Sequence, residues 1–100
     1  MTPETQHQAR VLRALGHPIR LGIALHLSRQ PETCACDFTE FFSVSQPTIS
    51  GHLRALRQAG LVVTRRRGTQ ICYSLAAAPL AEICRFLEGL TADIVVADAG

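Results

Sequence analysis

Two cysteines separated by one alanine, Cys34-Ala35-Cys36, with Asp37 next to them, are the residues of this 100-residue chain best suited to chemistry. Thiolates are soft ligands that select soft ions, and two of them this close can grip one ion from an irregular or distorted segment. A regular helix forbids that grip, because residues i and i+2 point about 200° apart around its axis. An ion held by both sulfurs is therefore expected to bend or unwind the start of a helix beginning here. Cys72 lies in a strand-like stretch, its side chain opposite those of Ile71 and Tyr73. Cys84 falls on the apolar stripe of a helix, where a buried, inert thiol is expected.

A second constellation is the stretch Ser45 to Gly60, SQPTISGHLRALRQAG. Ser45 is a good N-cap, Pro47 suits a first turn and Gly60 supplies a stop. At 100° per residue Ile49, Leu53 and Leu56 form one narrow apolar stripe for the core. Pro47, Ser50, Gly51, Arg54 and Gln58 point the other way, with Gln46 and Thr48 near the free N-terminus. Such a surface is small, cationic and rich in hydrogen-bonding groups. Ser, Thr and Gln at a helix N-terminus can bond base edges, while Arg and the helix dipole favour phosphate.

The charge follows the same plan. Between Phe41 and Ala81 stand Arg54, Arg57, Arg65, Arg66 and Arg67 without a single acid, whereas residues 1–40 balance and residues 82–100 are acidic. The overall charge of +2 thus hides a basic block of the kind that binds DNA. In that block Leu61–Thr64 and Ile71–Leu75 read as strands with Arg67-Gly68-Thr69 as the turn, a β-hairpin with a basic tip.

The elements that must position these residues are mostly helical. Glu4 to Leu15 reads as a first helix broken at Gly16-His17-Pro18, and Pro18 opens a second, largely apolar helix that ends at Gln30-Pro31-Glu32. Thr33 to Ser43 is a loop running into a short helix anchored by Phe38, Phe41 and Phe42. With the helix from Ser45 this makes a helix-turn-helix, and the hairpin makes it winged. From Ala77 to about Asp98 a last helix carries Leu80, Ile83, Cys84, Leu87, Leu90 and Ile94 at helical spacing. Little is left to cover that stripe. The expected architecture is a single mostly α domain over residues 1–100, paired with a second copy through its first and last helices. No N-terminal apolar stretch follows a basic region and no run is long enough to span a bilayer, so a cytoplasmic protein without a membrane partner is expected. In that compartment four cysteines are expected to be buried thiols, metal ligands or redox groups rather than a disulfide framework.

Taken together, Ala14-Leu15-Gly16-His17-Pro18-Ile19-Arg20-Leu21, Cys34-Ala35-Cys36-Asp37, Ser45-Gln46-Pro47-Thr48-Ile49-Ser50-Gly51-His52-Leu53, Ala59-Gly60-Leu61-Val62 and Arg67-Gly68 with Tyr73-Ser74-Leu75 resemble the ArsR/SmtB-type winged-helix repressors. Those proteins release operator DNA when a metal or metalloid binds. The resemblance implies five helices and a two-stranded wing, a homodimer through the terminal helices, and double-stranded operator DNA as partner, with the helix from Gln46 in the major groove. It implies DNA contacts from Gln46, Thr48, Ser50, Gly51, Arg54, Arg65, Arg66 and Arg67. It also marks Cys34 and Cys36 as the site for an inducer, arsenite or antimonite first, with cadmium, lead or zinc as alternatives.

The chain departs from the arsenic pattern at Thr39, where a third cysteine is usual. The third ligand is then Cys72 or Cys84, an exogenous thiol or water, or a group from across the dimer. The last helix contains no His, so a second site there for zinc, nickel or cobalt is not expected; His7, His17, His26 and His52 have no metal-cluster spacing. Of these, His17 reads as a cap at the helix break, His26 as a surface or packed residue, and His52 as a neighbour of phosphate. A repressor of the same fold in which Cys34 and Cys36 answer oxidants or reactive sulfur is the nearest alternative. A thiol oxidoreductase or metal carrier fits less well. The βαβ context of such enzymes is missing, no acid/base constellation or phosphate loop is visible, and no organic cofactor or enzymatic activity is expected.

Overall fold

Three prolines and three side-chain caps set where the first helices begin. In the computed structural model, which describes residues 1–94, α1 spans Pro3–Leu15, and Thr2 Oγ1 accepts the Thr5 N–H at 3.1 Å. The second helix, α2, spans Pro18–Arg29; His17 caps it as expected, Nδ1 accepting the Ile19 N–H at 3.1 Å. Ser45 Oγ caps α3, Gln46–Gln58, by accepting the Thr48 N–H at 3.4 Å. Each cap satisfies one of the donors that a helix start leaves without a partner.

At its far end α3 closes by a Schellman arrangement. Gly60 takes a left-handed φ of 77°, the Leu61 N–H reaches Leu56 O at 2.9 Å, and the Gly60 N–H reaches Arg57 O at 2.9 Å. Leu56 and Leu61, both fully buried, add the apolar contact that accompanies this motif. The chain then enters β2, Val62–Arg67, and returns along β3, Gln70–Leu75, in antiparallel register from Val62 opposite Leu75 to Arg67 opposite Gln70. Only Gly68 and Thr69 make the turn, with Gly68 at φ 62°. Arg65, Arg66 and Arg67 consequently lie along a strand and not at the hairpin tip. The last helix, α4, spans Ala77–Asp93; most of its expected continuation to Asp98 lies outside the described residues.

The segment between α2 and α3 differs most from its expected form. Thr33–Cys34 is a two-residue strand, β1, which adds to the hairpin and gives a three-stranded sheet in the order β1-β3-β2. Residues Ala35–Glu40 form a tight 3₁₀ helix. Within it Thr39 Oγ1 donates to the Cys36 carbonyl at 3.1 Å, the local side-chain bonding by which such residues compete with a regular α-helix. Counting this turn there are five helices among the described residues, as the family resemblance implies.

One core holds these parts together. Val11 from α1, Ile23 and Leu27 from α2, Phe38, the α3 stripe Ile49, Leu53 and Leu56, then Leu61, Val62 and Ile83 form a single buried cluster. Gly22 admits Phe42, whose ring would lie 2.9 Å from a Cβ at that position. On α4 only Ile83 is buried: Leu87 and Leu90 are 43% and 53% exposed, and Cys84 is exposed and unbonded, contrary to the buried thiol expected. Within one protomer α4 touches α1 along one side only, so half of its apolar stripe faces outward.

Candidate nucleic-acid interface and thiol site

The exposed side of α3 carries Gln46, Pro47, Thr48, Ser50, Gly51 and Arg54, all solvent-facing, while Ile49, Leu53 and Leu56 are completely buried. The Thr48 hydroxyl lies 3.0 Å from Ser45 Oγ, which leaves Gln46 and Ser50 as the unengaged hydrogen-bonding groups at this end. A Cβ built on Gly51 would meet nothing within 4 Å, so nothing in the protomer requires a glycine there.

Alongside, the β2 arginines divide by strand alternation. Arg65 and Arg67 converge on the Glu32 carboxylate: Arg65 Nε and Nη2 donate at 3.1 Å each and Arg67 Nη1 at 3.0 Å. Arg66 points to the other side, without a carboxylate partner among the described residues. Glu32 was invisible as a functional residue in sequence, lying 33 and 35 positions from the groups it binds.

The cysteines are arranged differently from the expected Cys34/Cys36 grip. Cys34 is the register partner of Cys72, and their side chains are joined as a disulfide. The sequence leads to buried thiols, metal ligands or redox groups and not to a disulfide framework, and this one bond has a physical reason: direct cross-strand partners point to the same face of the sheet. Of the candidate third ligands, Cys72 is thus the one brought to Cys34, and Cys84 sits apart on α4. Cys36 is exposed and unbonded, its Sγ 3.7 Å from Asp37 Oδ1. Among the described residues no three His, Cys, Asp or Glu side chains are grouped as a metal-binding set. Cys34 precedes the 3₁₀ helix with extended backbone, φ −80° and ψ 150°, so the segment is already irregular and no helix has to unwind for its sulfur to turn.

Cys36 opens onto a cleft of about 410 Å³ whose walls include Ala35, Gln46, Ser50, Ile71 and Tyr73. One concavity therefore joins the free thiol to the end of α3 and to the wing.

Residues 17–64 match the family described as bacterial regulatory protein, arsR family. The arsenical resistance operon repressor of Escherichia coli is 41% identical over 66 residues, covering 66% of this chain and 56% of that protein. The HTH-type transcriptional repressor SmtB of Mycobacterium tuberculosis is 40% identical over 73 residues, covering 73% and 53%. An ArsR-like transcriptional regulator from Rhodococcus sp. RHA1, of solved structure, superposes with a TM-score of 0.81 at 31% identity, over 91% of this chain and 85% of that one. The chain belongs to the ArsR family. It spans about half the length of the curated relatives it matches. The family-matched segment of this ArsR chain runs from the cap of α2 into β2, so it includes Cys34, Cys36 and all of α3 but excludes Cys72.

In this ArsR fold His52 turns from the exposed side of α3 toward α2. Its Nδ1 accepts from Arg20 Nε at 3.2 Å and its ring centroid lies 4.4 Å from that of His17. Burial, then the neighbouring His17 and Arg20, push its pKa below the ordinary 6.5. His26, packed against Phe38 and Phe41, shares a hydrogen bond of 3.0 Å with Thr33 and so steadies β1. The His52 shift has a testable sign. The unfolded chain binds a proton at His52 that the folded chain refuses, so this contribution to stability is complete above pH 6.5 and is lost as pH falls toward the depressed folded value. Thermal unfolding followed at about pH 5.5 and about pH 7.5 should show a higher midpoint at the upper value, and His52→Gln should shrink the difference; an unchanged difference would remove His52 as its source.

Proposed function

We propose that this chain is a homodimeric transcriptional repressor that binds double-stranded operator DNA and releases it when a soft ion, arsenite or antimonite in the first place, is held by Cys34 and Cys36. The observation that carries this reading is the shared cleft, because the Cys36 thiol opens onto the same concavity as Gln46 and Ser50 of α3 and the wing residues Ile71 and Tyr73. A change at the thiols therefore acts directly on the elements that would read DNA.

In this reading Gln46 and Ser50 meet base edges from the N-terminus of α3, with Thr48 beside them, and Arg54 meets phosphate. Gly51, needless for the fold, leaves room for the duplex to approach closely. Arg65, Arg66 and Arg67 neutralise phosphates beside the groove, Arg66 outright and the other two in exchange for Glu32. The exposed apolar residues Leu12 of α1 and Leu87 and Leu90 of α4 form the seam between two copies. Sedimentation at micromolar concentration should give the dimer, and Leu90→Glu should shift it toward the protomer.

The ion fits the reduced protein. With Cys34 bonded to Cys72 only one thiol of the segment is open; reduction returns Cys34, two residues from Cys36 in an irregular stretch. The ion would contribute two or more sulfur bonds, and the chain would supply their link to the cleft. A differential affinity of a few kcal/mol between DNA-fitting and ion-fitting arrangements is enough to empty an operator. The Escherichia coli repressor named for arsenical resistance supports the choice of arsenite, and cadmium or lead would engage the same sulfurs.

Fluorescence anisotropy on a labelled duplex with the reduced protein should show binding that weakens steeply with salt and release by one or two equivalents of arsenite per protomer. Cys34→Ser and Cys36→Ser should keep DNA affinity and lose the release; normal release by both variants would move the site elsewhere. Glu32→Gln frees Arg65 and Arg67 for phosphate. It should tighten binding to operator and unrelated duplex alike by about two- to fivefold, with a steeper salt dependence. An effect confined to the operator would instead place Glu32 in sequence discrimination.

A further inference from the structure

We propose that Cys34 and Cys72 are a reversible redox pair that withdraws Cys34 from the ion site, so that the oxidised repressor is deaf to its inducer. The proposal rests on the function proposed above and concerns the regulation of that same site. It starts from the one sulfur–sulfur bond among the described residues, which ties the inducer segment to β3 across 38 residues, while Cys36 and Cys84 remain unbonded.

The bond is placed to be made and broken without loss of the fold. Thr33 and Cys34 are already held to Tyr73 and Cys72 by backbone pairing. Glu32 is held to Arg65 and Arg67, and His26 to Thr33. The main buried cluster is built without either sulfur. Reduction therefore leaves the two thiols facing each other, ready to bond again. Exposure assigns their roles: Cys34 is half-buried beside the open Cys36, and Cys72 is completely buried. A small oxidant meets Cys34 first, and Cys72 resolves.

With a peroxide as oxidant the chemistry balances. The Cys34 thiolate attacks one peroxide oxygen, the O–O bond breaks, hydroxide leaves, and Cys34 becomes a sulfenic acid. The Cys72 thiolate then attacks the Cys34 sulfur, the S–S bond forms and a second hydroxide leaves. Two protons from the thiols convert these to two waters, and two electrons have passed from sulfur to peroxide. A small dithiol restores both thiols by exchange and is itself oxidised to a disulfide. In the oxidised form an ion finds one thiolate in the segment, Cys36, instead of two.

The test uses the full chain with cadmium and arsenite as probes. Peroxide should lower the titratable thiols from the four of the reduced chain to two. Peptide mapping should find the link between Cys34 and Cys72, and dithiothreitol should reverse it. Thiolate-to-cadmium charge-transfer absorbance should then require at least about tenfold more cadmium in the oxidised protein, and arsenite should no longer release DNA from it. Cys72→Ser, treated with the same peroxide in the presence of dimedone, should give no internal link from Cys34 to position 72 and should carry more dimedone label on Cys34 than the wild-type chain, whose resolving thiol consumes the sulfenic acid. Mapping to Cys34–Cys36 or to an intermolecular Cys84 link, unchanged cadmium binding after peroxide, or a Cys72→Ser chain with no more dimedone label on Cys34 than the wild-type chain would each overturn the proposal. If the reduced chain binds cadmium yet keeps its DNA, the release reading fails and the redox gate stands. If it takes up neither ion, both fall.

Discussion

The pairing of Thr33 and Cys34 with Tyr73 and Cys72 is the constraint on which the arrangement of this ArsR protein depends. It is only two residues long, yet it converts the connection between α2 and α3 from a surface loop into the edge of a sheet. Once that edge is fixed, Glu32 lies over the wing arginines, Phe38 drops into the core and Cys36 faces the cleft beside α3. A long strand was unnecessary because Phe38 anchors the following turn and His26 holds Thr33 from behind.

Electrostatics and packing divide the work between the two faces of this unit. The inner face of α3 is apolar and complete: Ile49, Leu53 and Leu56 are out of contact with water, and His52 is tied back to Arg20 and His17. Its outer face is polar, with Gln46, Ser50 and Arg54 making no side-chain hydrogen bond among the described residues, and the neighbouring strand concentrates three cations. Exposed ion pairs such as those of Glu32 are weak individually. Their importance is positional, since the carboxylate that holds both guanidinium groups sits two residues before Cys34.

What was legible in the sequence follows from the range of the interaction involved. The caps of α3, its buried stripe, the breaks at Pro18 and Gly60 and the hairpin are encoded within a few residues, and the structure contains them all. The third strand was not legible, since a two-residue strand has no periodicity and exists only because Cys72 arrives opposite. The same holds for Glu32 and its arginines and for the Cys34–Cys72 bond. Placing the arginines at the hairpin tip was an error of turn length: Gly68 with left-handed φ closes the turn in two residues and returns the basic run to the strand. Cys84 was read as buried from the stripe of α4, but a stripe shows which side is apolar and not whether the same protomer covers it.

The Cys34–Cys72 bond also has a topological effect. It closes a covalent ring of the chain that contains α3 and β2 entirely and leaves α1, α2 and α4 outside. On the chain-entropy view, closing a loop of this size removes about 4 kcal/mol worth of freedom from the denatured ensemble. Because one core joins the ring to α1, α2 and α4, the whole unit shares that gain. In the oxidised molecule the two ends of this ring stay linked when the chain unfolds, which makes refolding a search over fewer shapes than the reduced chain must sample.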